Sequence, residues 1–315
     1  PYFMWITLLA QLAVFVVELI RGQQLEGSPI QTSPFNYMIG PGSLTMIQTG
    51  ARFTPCMRPT DVAGQMISLT GNPDNVHKVI DLCGFGGIGP GEEPNQGYRL
   101  FLAMFLHGGV IHLLFNSFAQ WRIGIPLERI YGWWRILLIC WFAGIGGNAF
   151  GGILSPPILV SVGASGAVFG LVGALLVELI LRWKEIHRPG LQLFSLLVTI
   201  LINLALGLLP GIDNFAHIGG LLFGLVTSLA LLPSRILILR GGYGNGSSTS
   251  PIAFFRSRYR GWVILSSVCA LLSIGLFIGI LIAFFEMGRP GEECSWCKYL
   301  SCLPIAGGCD TFSSP

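Results

Sequence analysis

The sequence predicts an all-α protein built as a polytopic transmembrane helix bundle, and three observations carry that expectation. Of the 315 residues 52% are hydrophobic and only 10% charged, whereas soluble domains carry roughly a quarter charged residues. Mean hydropathy is +0.68. Apolar runs recur at the length of about 20 residues that a helix needs to cross the hydrocarbon core. The 43 glycines suit such a bundle, because small residues let helix backbones approach closely in lipid. The lipid bilayer is therefore one expected partner. The net charge of +3 is small and no Lys/Arg cluster is interleaved with aromatics, which excludes a nucleic-acid partner.

Seven spans follow in chain order, at residues 4–20, 98–118, 133–154, 160–181, 191–209, 215–232 and 262–285. A soluble loop at 21–97, rich in Gly, Pro and Asn and weakly periodic, follows the first span. The Gly/Ser-rich stretch 241–250 marks a linker within 233–261, and 286–315 forms a Cys-rich tail. The chain begins at Pro1 with no basic segment before the apolar run at Met4, which gives a signal peptide little support. A segment N-terminal to Pro1 is expected.

Charge orients the bundle. The connections after spans two, four and six hold Arg122, Arg129, Arg135, Arg182, Lys184, Arg188, Arg235, Arg240, Arg256, Arg258 and Arg260, while those after spans three and five hold no Lys or Arg. The positive-inside rule puts the first set in the cytoplasm and the second, with the long first loop, on the other side. Arg52, Arg58 and Lys78 in that loop do not conflict, because long loops translocate largely regardless of charge. Cys56, Cys83, Cys294, Cys297, Cys302 and Cys309 then lie on the non-cytoplasmic side, with Cys140 and Cys269 inside spans. An even set in an oxidising compartment predicts disulfides. The tail motif Cys294-Ser295-Trp296-Cys297 could hold zinc instead, but no His accompanies it, so no metal site is expected.

Polar groups inside spans are costly, and each is a functional candidate until a partner explains it. Ser165 sits in Ser161-Val162-Gly163-Ala164-Ser165-Gly166-Ala167, where small neighbours leave its hydroxyl accessible as a helix begins. Gly163 and Gly166 permit a tight turn, and the first helical N–H groups form a positive end suited to an oxyanion. The bland alternative is a helix N-cap beside a Gly-x-x-x-Gly packing face, Gly166 to Gly170. His217 lies in Ala216-His217-Ile218-Gly219-Gly220, with Gly224 following, so the sixth span has a second smooth face that can meet the first. An imidazole at that depth can take the serine proton, where the alternative is an ordinary interhelical hydrogen bond. His112 and Asn116 are four apart and share a helix face, and both can donate to a tetrahedral oxyanion. His107 lies off that face and reads equally as a supporting site residue or a loop anchor. Glu178 near a span end reads as snorkelling, Asn203 as bonded to a neighbouring helix, and Glu18 as meeting water or a loop donor.

With those motifs in hand, the chain resembles the rhomboid intramembrane proteases, whose motifs are a Gly-x-Ser-Gly, an Ala-His followed by small residues, and a His-x-x-x-Asn. Gly163 to Gly166, Ala216 to Gly220 and His112 to Asn116 match them, Phe105-Leu106-His107-Gly108-Gly109 agrees further, and Glu128-Arg129-Ile130-Tyr131-Gly132 looks like the family's Glu-x-x-x-Gly segment. The resemblance implies a six-helix catalytic core over 1–232 plus a seventh, C-terminal helix, as in the eukaryotic secretory-pathway branch, with a tail similar to those of fungal members. It makes Ser165 the nucleophile, His217 the general base and acid, and His112 with Asn116 the oxyanion donors, with no cofactor. Asp213 precedes His217 by one turn and could mimic a triad acid, but the family works as a dyad, so Asp213 is left outside the site. Trp121-Arg122 is distinct from the family's Trp-Arg pair in the first external loop. The expected partners are transmembrane protein substrates cut near the external face, with the loop 210–214 as a cap over the site. A catalytically silent relative is the rival reading. A transporter is disfavoured because charged residues are absent from the middle of spans two to seven, apart from Glu178.

Overall fold

The computed structural model describes residues 1–69, 76–89, 91–208, 212–232 and 251–286, with Cys297 and Leu300 beyond them, and the backbone alone for 251–260. The linker 241–250 and Cys294, Cys302 and Cys309 lie outside the described residues. The chain is a helix bundle. Its long helices are α1 (Tyr2–Glu26), the continuous run of α4 (Val110–Ala119), a π-helical turn (Gln120–Gly124) and α5 (Ile125–Tyr131), then α6 (Trp133–Leu154), α7 (Ser165–Leu181), α8 (Pro189–Leu206), α9 (Asn214–Leu231) and α10 (Pro251–Glu286). Two short helices, α2 (Ser43–Thr49) and α3 (Arg99–Leu102), precede α4. Among the described residues, α1, α6, α8, α9 and residues 261–286 of α10 are long and apolar enough to cross a membrane, with α7 a shorter apolar helix.

The second span is not one helix over 98–118. Gly108 and Gly109 break it: a side chain at Gly109 would collide with the Met38 carbonyl, and Asn36 Nδ2 donates to the Gly108 carbonyl at 2.9 Å. The helix therefore starts at Val110 and continues to Tyr131, so Arg122, Glu128 and Arg129 are helical rather than in a connection. Glu128 accepts from the backbone N–H groups of Phe3 and Met4 at 2.9 and 2.8 Å. A carboxylate there offsets the partial positive charge of the α1 N-terminus. The fourth span also starts later than expected: residues 160–164 are non-helical. The α10 helix starts earlier, taking in Arg256, Arg258 and Arg260.

The centre of the bundle is a glycine seam. A methyl group at Gly220 would overlap the Gly166 backbone, one at Gly224 the Gly170 backbone, and one at Gly147 the Ala216 carbonyl. The α6, α7 and α9 backbones thus touch directly, which is how helices gain dispersion energy in a solvent as apolar as their side chains. Helix α10 packs on α9 through Thr227 and Ser273, whose hydroxyls are 2.8 Å apart, and through Ser266 donating to the Ala230 carbonyl.

The loop 21–97 is folded rather than irregular. It contains α2, a hairpin of β1 (Met66–Ser68) and β2 (Val76–Lys78), and a core of Ile47, Phe53, Cys56, Val79, Leu82 and Cys83. A Cys56–Cys83 disulfide closes it. Arg99 anchors it by donating to the Ile47 and Ala51 carbonyls at 2.7 and 2.9 Å. Cys297 is disulfide-bonded, as expected for the cysteines outside the spans, while Cys140 and Cys269 are free and buried.

Two minor expectations are revised. Asn203 bonds within its own helix, to the Thr199 carbonyl at 2.8 Å. Glu178 is buried and pairs with Arg182 at 2.8 Å instead of reaching solvent. Glu18 meets a loop donor as expected: it is buried and accepts the His107 backbone N–H at 3.1 Å.

Candidate active site

Helix α7 begins at Ser165, capped by Ala164 without a side-chain hydrogen bond. The preceding strand-like segment is fixed from two directions. Arg52 and Ser161 exchange backbone hydrogen bonds of 2.9 and 3.0 Å, and the Gly163 N–H donates to the Ala103 carbonyl at 2.8 Å. Gly163 has φ +120, a conformation that favours glycine. Its turn lets the helix start with Ser165 at the first position, where backbone N–H groups have no intrahelical acceptor.

Helix α9 begins beside it. Asp213 caps this helix, Oδ1 accepting from the N–H groups of Phe215 and Ala216 at 3.1 and 3.2 Å. His217 follows within the first turn. The seam sets Gly220 against Gly166, so His217, one turn before Gly220, reaches Ser165, the residue before Gly166: Ser165 Oγ lies 2.8 Å from His217 Nε2. Ser165 is half-buried and His217 buried. The imidazole lies flat on the Phe169 ring, with centroids 4.6 Å apart and planes 14° apart.

The α4 residues close the other side. The Gly108 N–H donates to His112 Nδ1 at 3.3 Å, which leaves the proton of the neutral ring on Nε2. A Cβ placed on Gly163 would lie 2.8 Å from His112 Nε2 and 3.5 Å from Asn116 Nδ2. Both donors thus converge on the backbone two residues before Ser165, and Asn116 also donates to the His112 carbonyl at 3.2 Å. Chemically the cluster offers a hydroxyl paired with an imidazole, flanked by side-chain and backbone donors.

A Rhomboid domain family model matches residues 94–234. The chain is 34% identical to Rhomboid-type serine protease 2 of Emericella nidulans, over 98% of this chain and 71% of that protein. It is 40% identical to RHOMBOID-like protein 4 of Arabidopsis thaliana, over 67% of this chain and 52% of that one. It is also 35% identical to Inactive rhomboid protein 1 of Homo sapiens, over 73% of this chain and 24% of that one. The chain belongs to the rhomboid family. It is an integral, multi-pass membrane protein. It spans about half the length of the plant relative and about a quarter of the human one.

In this rhomboid, Ser165, His217, His112, Asn116, Gly163 and Gly166 gather at one end of the bundle, where α7 and α9 start. His107 is buried beside them, its ring edge-on to His112 at 5.3 Å between centroids, with no contact to Ser165. Asp213 faces away from the imidazole: Oδ2 pairs with Arg52 at 2.5 Å and Oδ1 accepts from Ser155 Oγ at 2.9 Å. Burial pulls the Arg52 guanidinium below its ordinary range, and the Asp213 charge opposes that shift. Of the loop 210–214, residues 210 and 211 lie outside the described residues; Ile212 is half-buried, and Asp213 and Asn214 are buried at the start of α9. Phe169 and Arg52 were not singled out from the sequence. Phe169, four residues after Ser165 and so on its helix face, carried a usable signal; the pairing of Arg52 with Asp213, distant in the chain, carried none.

Proposed function

We propose that this chain is an intramembrane serine endopeptidase that cleaves transmembrane segments near the non-cytoplasmic face. The 2.8 Å approach of Ser165 Oγ to His217 Nε2 carries the reading. His217 takes the proton as Oγ attacks the scissile carbonyl carbon. The resulting oxyanion receives hydrogen bonds from the Ser165 N–H, His112 Nε2 and Asn116 Nδ2. Collapse breaks the C–N bond, His217 returns the proton to the leaving amine, and an acyl-enzyme remains. Water, deprotonated by His217, then attacks the ester and releases Ser165. These residues supply nucleophile, base and oxyanion donors, so the proposed reaction calls for no cofactor.

A helical substrate hides its carbonyls in its own hydrogen bonds, so the scissile stretch must unwind to enter. At 1.5 Å per residue α7 is about 26 Å long, short of the ~30 Å hydrocarbon core, which favours a nucleophile recessed below the external surface. The Cys56–Cys83 disulfide near the site end and the basic Arg135, Arg182 and Arg188 at the far end favour a lumenal or extracellular site in the secretory pathway.

The test is cleavage of a fluorescent transmembrane substrate by reconstituted wild type, Ser165→Ala and His217→Ala. Loss of cleavage in both variants is expected; equal cleavage by all three sinks the proposal. The similarity to an inactive rhomboid keeps a client-binding role as the second reading. A serine-directed phosphonate that labels wild type but not Ser165→Ala decides for the enzyme, and failure to label either decides for the binder.

A further inference from the structure

The two halves of the Ser165–His217 pair sit on different helices, and one residue of the external loop is bonded to the approach to each. Arg52 holds the segment leading to Ser165 through reciprocal backbone hydrogen bonds with Ser161, at 2.9 and 3.0 Å. Its guanidinium Nη2 meets Asp213 Oδ2 at 2.5 Å. Asp213 in turn caps α9 by accepting from Phe215 and Ala216, and its carbonyl accepts the His217 N–H at 3.2 Å. Both side chains of the ion pair are buried, at 1% and 3% exposure, so solvent screens the pair poorly. Arg52 Nε and Nη1 have no hydrogen-bond partner among the described residues, which leaves Asp213 as the one group the guanidinium serves. Gly151 makes room for the Asp213 carboxylate, and Gly152 lies against both Arg52 Nη1 and the buried ring of Phe284 from α10.

We infer that Arg52 is a positioning residue for the proposed dyad: its backbone fixes the start of α7 and its side chain fixes the start of α9, setting the Ser165–His217 distance. The inference rests on the serine-protease reading. A buried arginine without its partner is costly, and so is a buried carboxylate without its own; the link therefore has to be separated from stability.

Four variants do so: Arg52→Ala, Arg52→Lys, Asp213→Asn and the double variant Arg52→Ala with Asp213→Asn. Cleavage kinetics, phosphonate labelling of Ser165 and thermal unfolding in detergent are measured on each. Misplacement of the base by about 1 Å predicts a fall in kcat on the order of a hundredfold for Arg52→Ala with KM unchanged, because the buried Arg52 side chain offers no surface to a bound substrate. Asp213→Asn keeps the cap acceptor but loses the ionic link, and is expected to lie between Arg52→Ala and wild type. Arg52→Lys recovers part of kcat by restoring one cation. The double variant regains thermal stability over Arg52→Ala, having no unpaired carboxylate, yet stays low in kcat. A kcat within about twofold of wild type for Arg52→Ala, or a kcat in the double variant that recovers with its stability, overturns the inference while leaving the protease reading intact. A wild type that neither cleaves nor takes the phosphonate removes that reading and this inference together.

Discussion

Phe169 lies one helical turn after Ser165 and presses its ring face against the His217 imidazole, 4.6 Å between centroids and 14° from parallel. The helix that carries the proposed nucleophile therefore sets the plane of the proposed base. An aromatic contact of this kind contributes about 0.5–1.5 kcal/mol beyond its buried area. Phe169→Ala frees the imidazole to turn, and kcat is expected to fall by roughly threefold to tenfold, while Phe169→Tyr retains the stacked plane and most of the rate. Steady-state cleavage of a transmembrane substrate reads both.

The donors His112 and Asn116 converge on Gly163. Removal of a single oxyanion donor costs about 10²–10³ in kcat, and His112→Ala or Asn116→Ala should each show a loss of that order with little change in KM. Gly163→Ala combines two insults, a side chain at φ +120 and a Cβ within 2.8 Å of His112 Nε2. Phosphonate labelling of Ser165 should be lost in that variant even where the protein still inserts into membranes.

At the glycine seam, Gly224→Ala places a methyl group into the Gly170 backbone. Neither helix can yield without parting α7 from α9, and overpacking of a tight core costs about 1–3 kcal/mol. A lower unfolding temperature in detergent together with reduced cleavage is expected. Gly275→Ala on α10, where an added methyl group meets nothing within 4 Å, should change neither.

Much of this arrangement was legible in the residues themselves. Gly166, Gly170, Gly220 and Gly224 signalled two smooth faces, and pairing those faces brings Ser165 to His217; local spacing alone put His112 and Asn116 on one side of a helix. The helix starts are not legible there, because hydropathy averages over windows and does not register a single turn. Gly109 breaks the second span through a close approach of the loop near Met38, and residues 160–164 stay out of the helix where Arg52 pairs with Ser161, contacts that only the folded loop creates. For the same reason the pairing of Arg52 with Asp213 is invisible in the residues alone.

The long loop after α1 depends on Cys56–Cys83, which closes a 27-residue separation beside a six-residue core. Cross-linking a loop of that size removes about 3–4 kcal/mol of unfolded-state entropy. Cys56→Ser, or reduction of wild type, should lower the unfolding temperature and slow cleavage, because Arg52 and Ala51 stand four or five residues before the bridge and carry the bonds to Ser161 and Arg99.

The proposed mechanism fixes the sign of the pH response. His217 accepts the serine proton only as a neutral imidazole, so activity is held while the ring is unprotonated and is lost as pH falls through its titration. The acid limb of kcat should have unit slope, since Asp213 is engaged with Arg52 and Ser155 rather than with the imidazole. Asp213→Asn should therefore lower the height of the profile through the helix cap while preserving that single-proton slope. An acid-limb slope that changes in Asp213→Asn overturns the assignment of that carboxylate to Arg52 and Ser155.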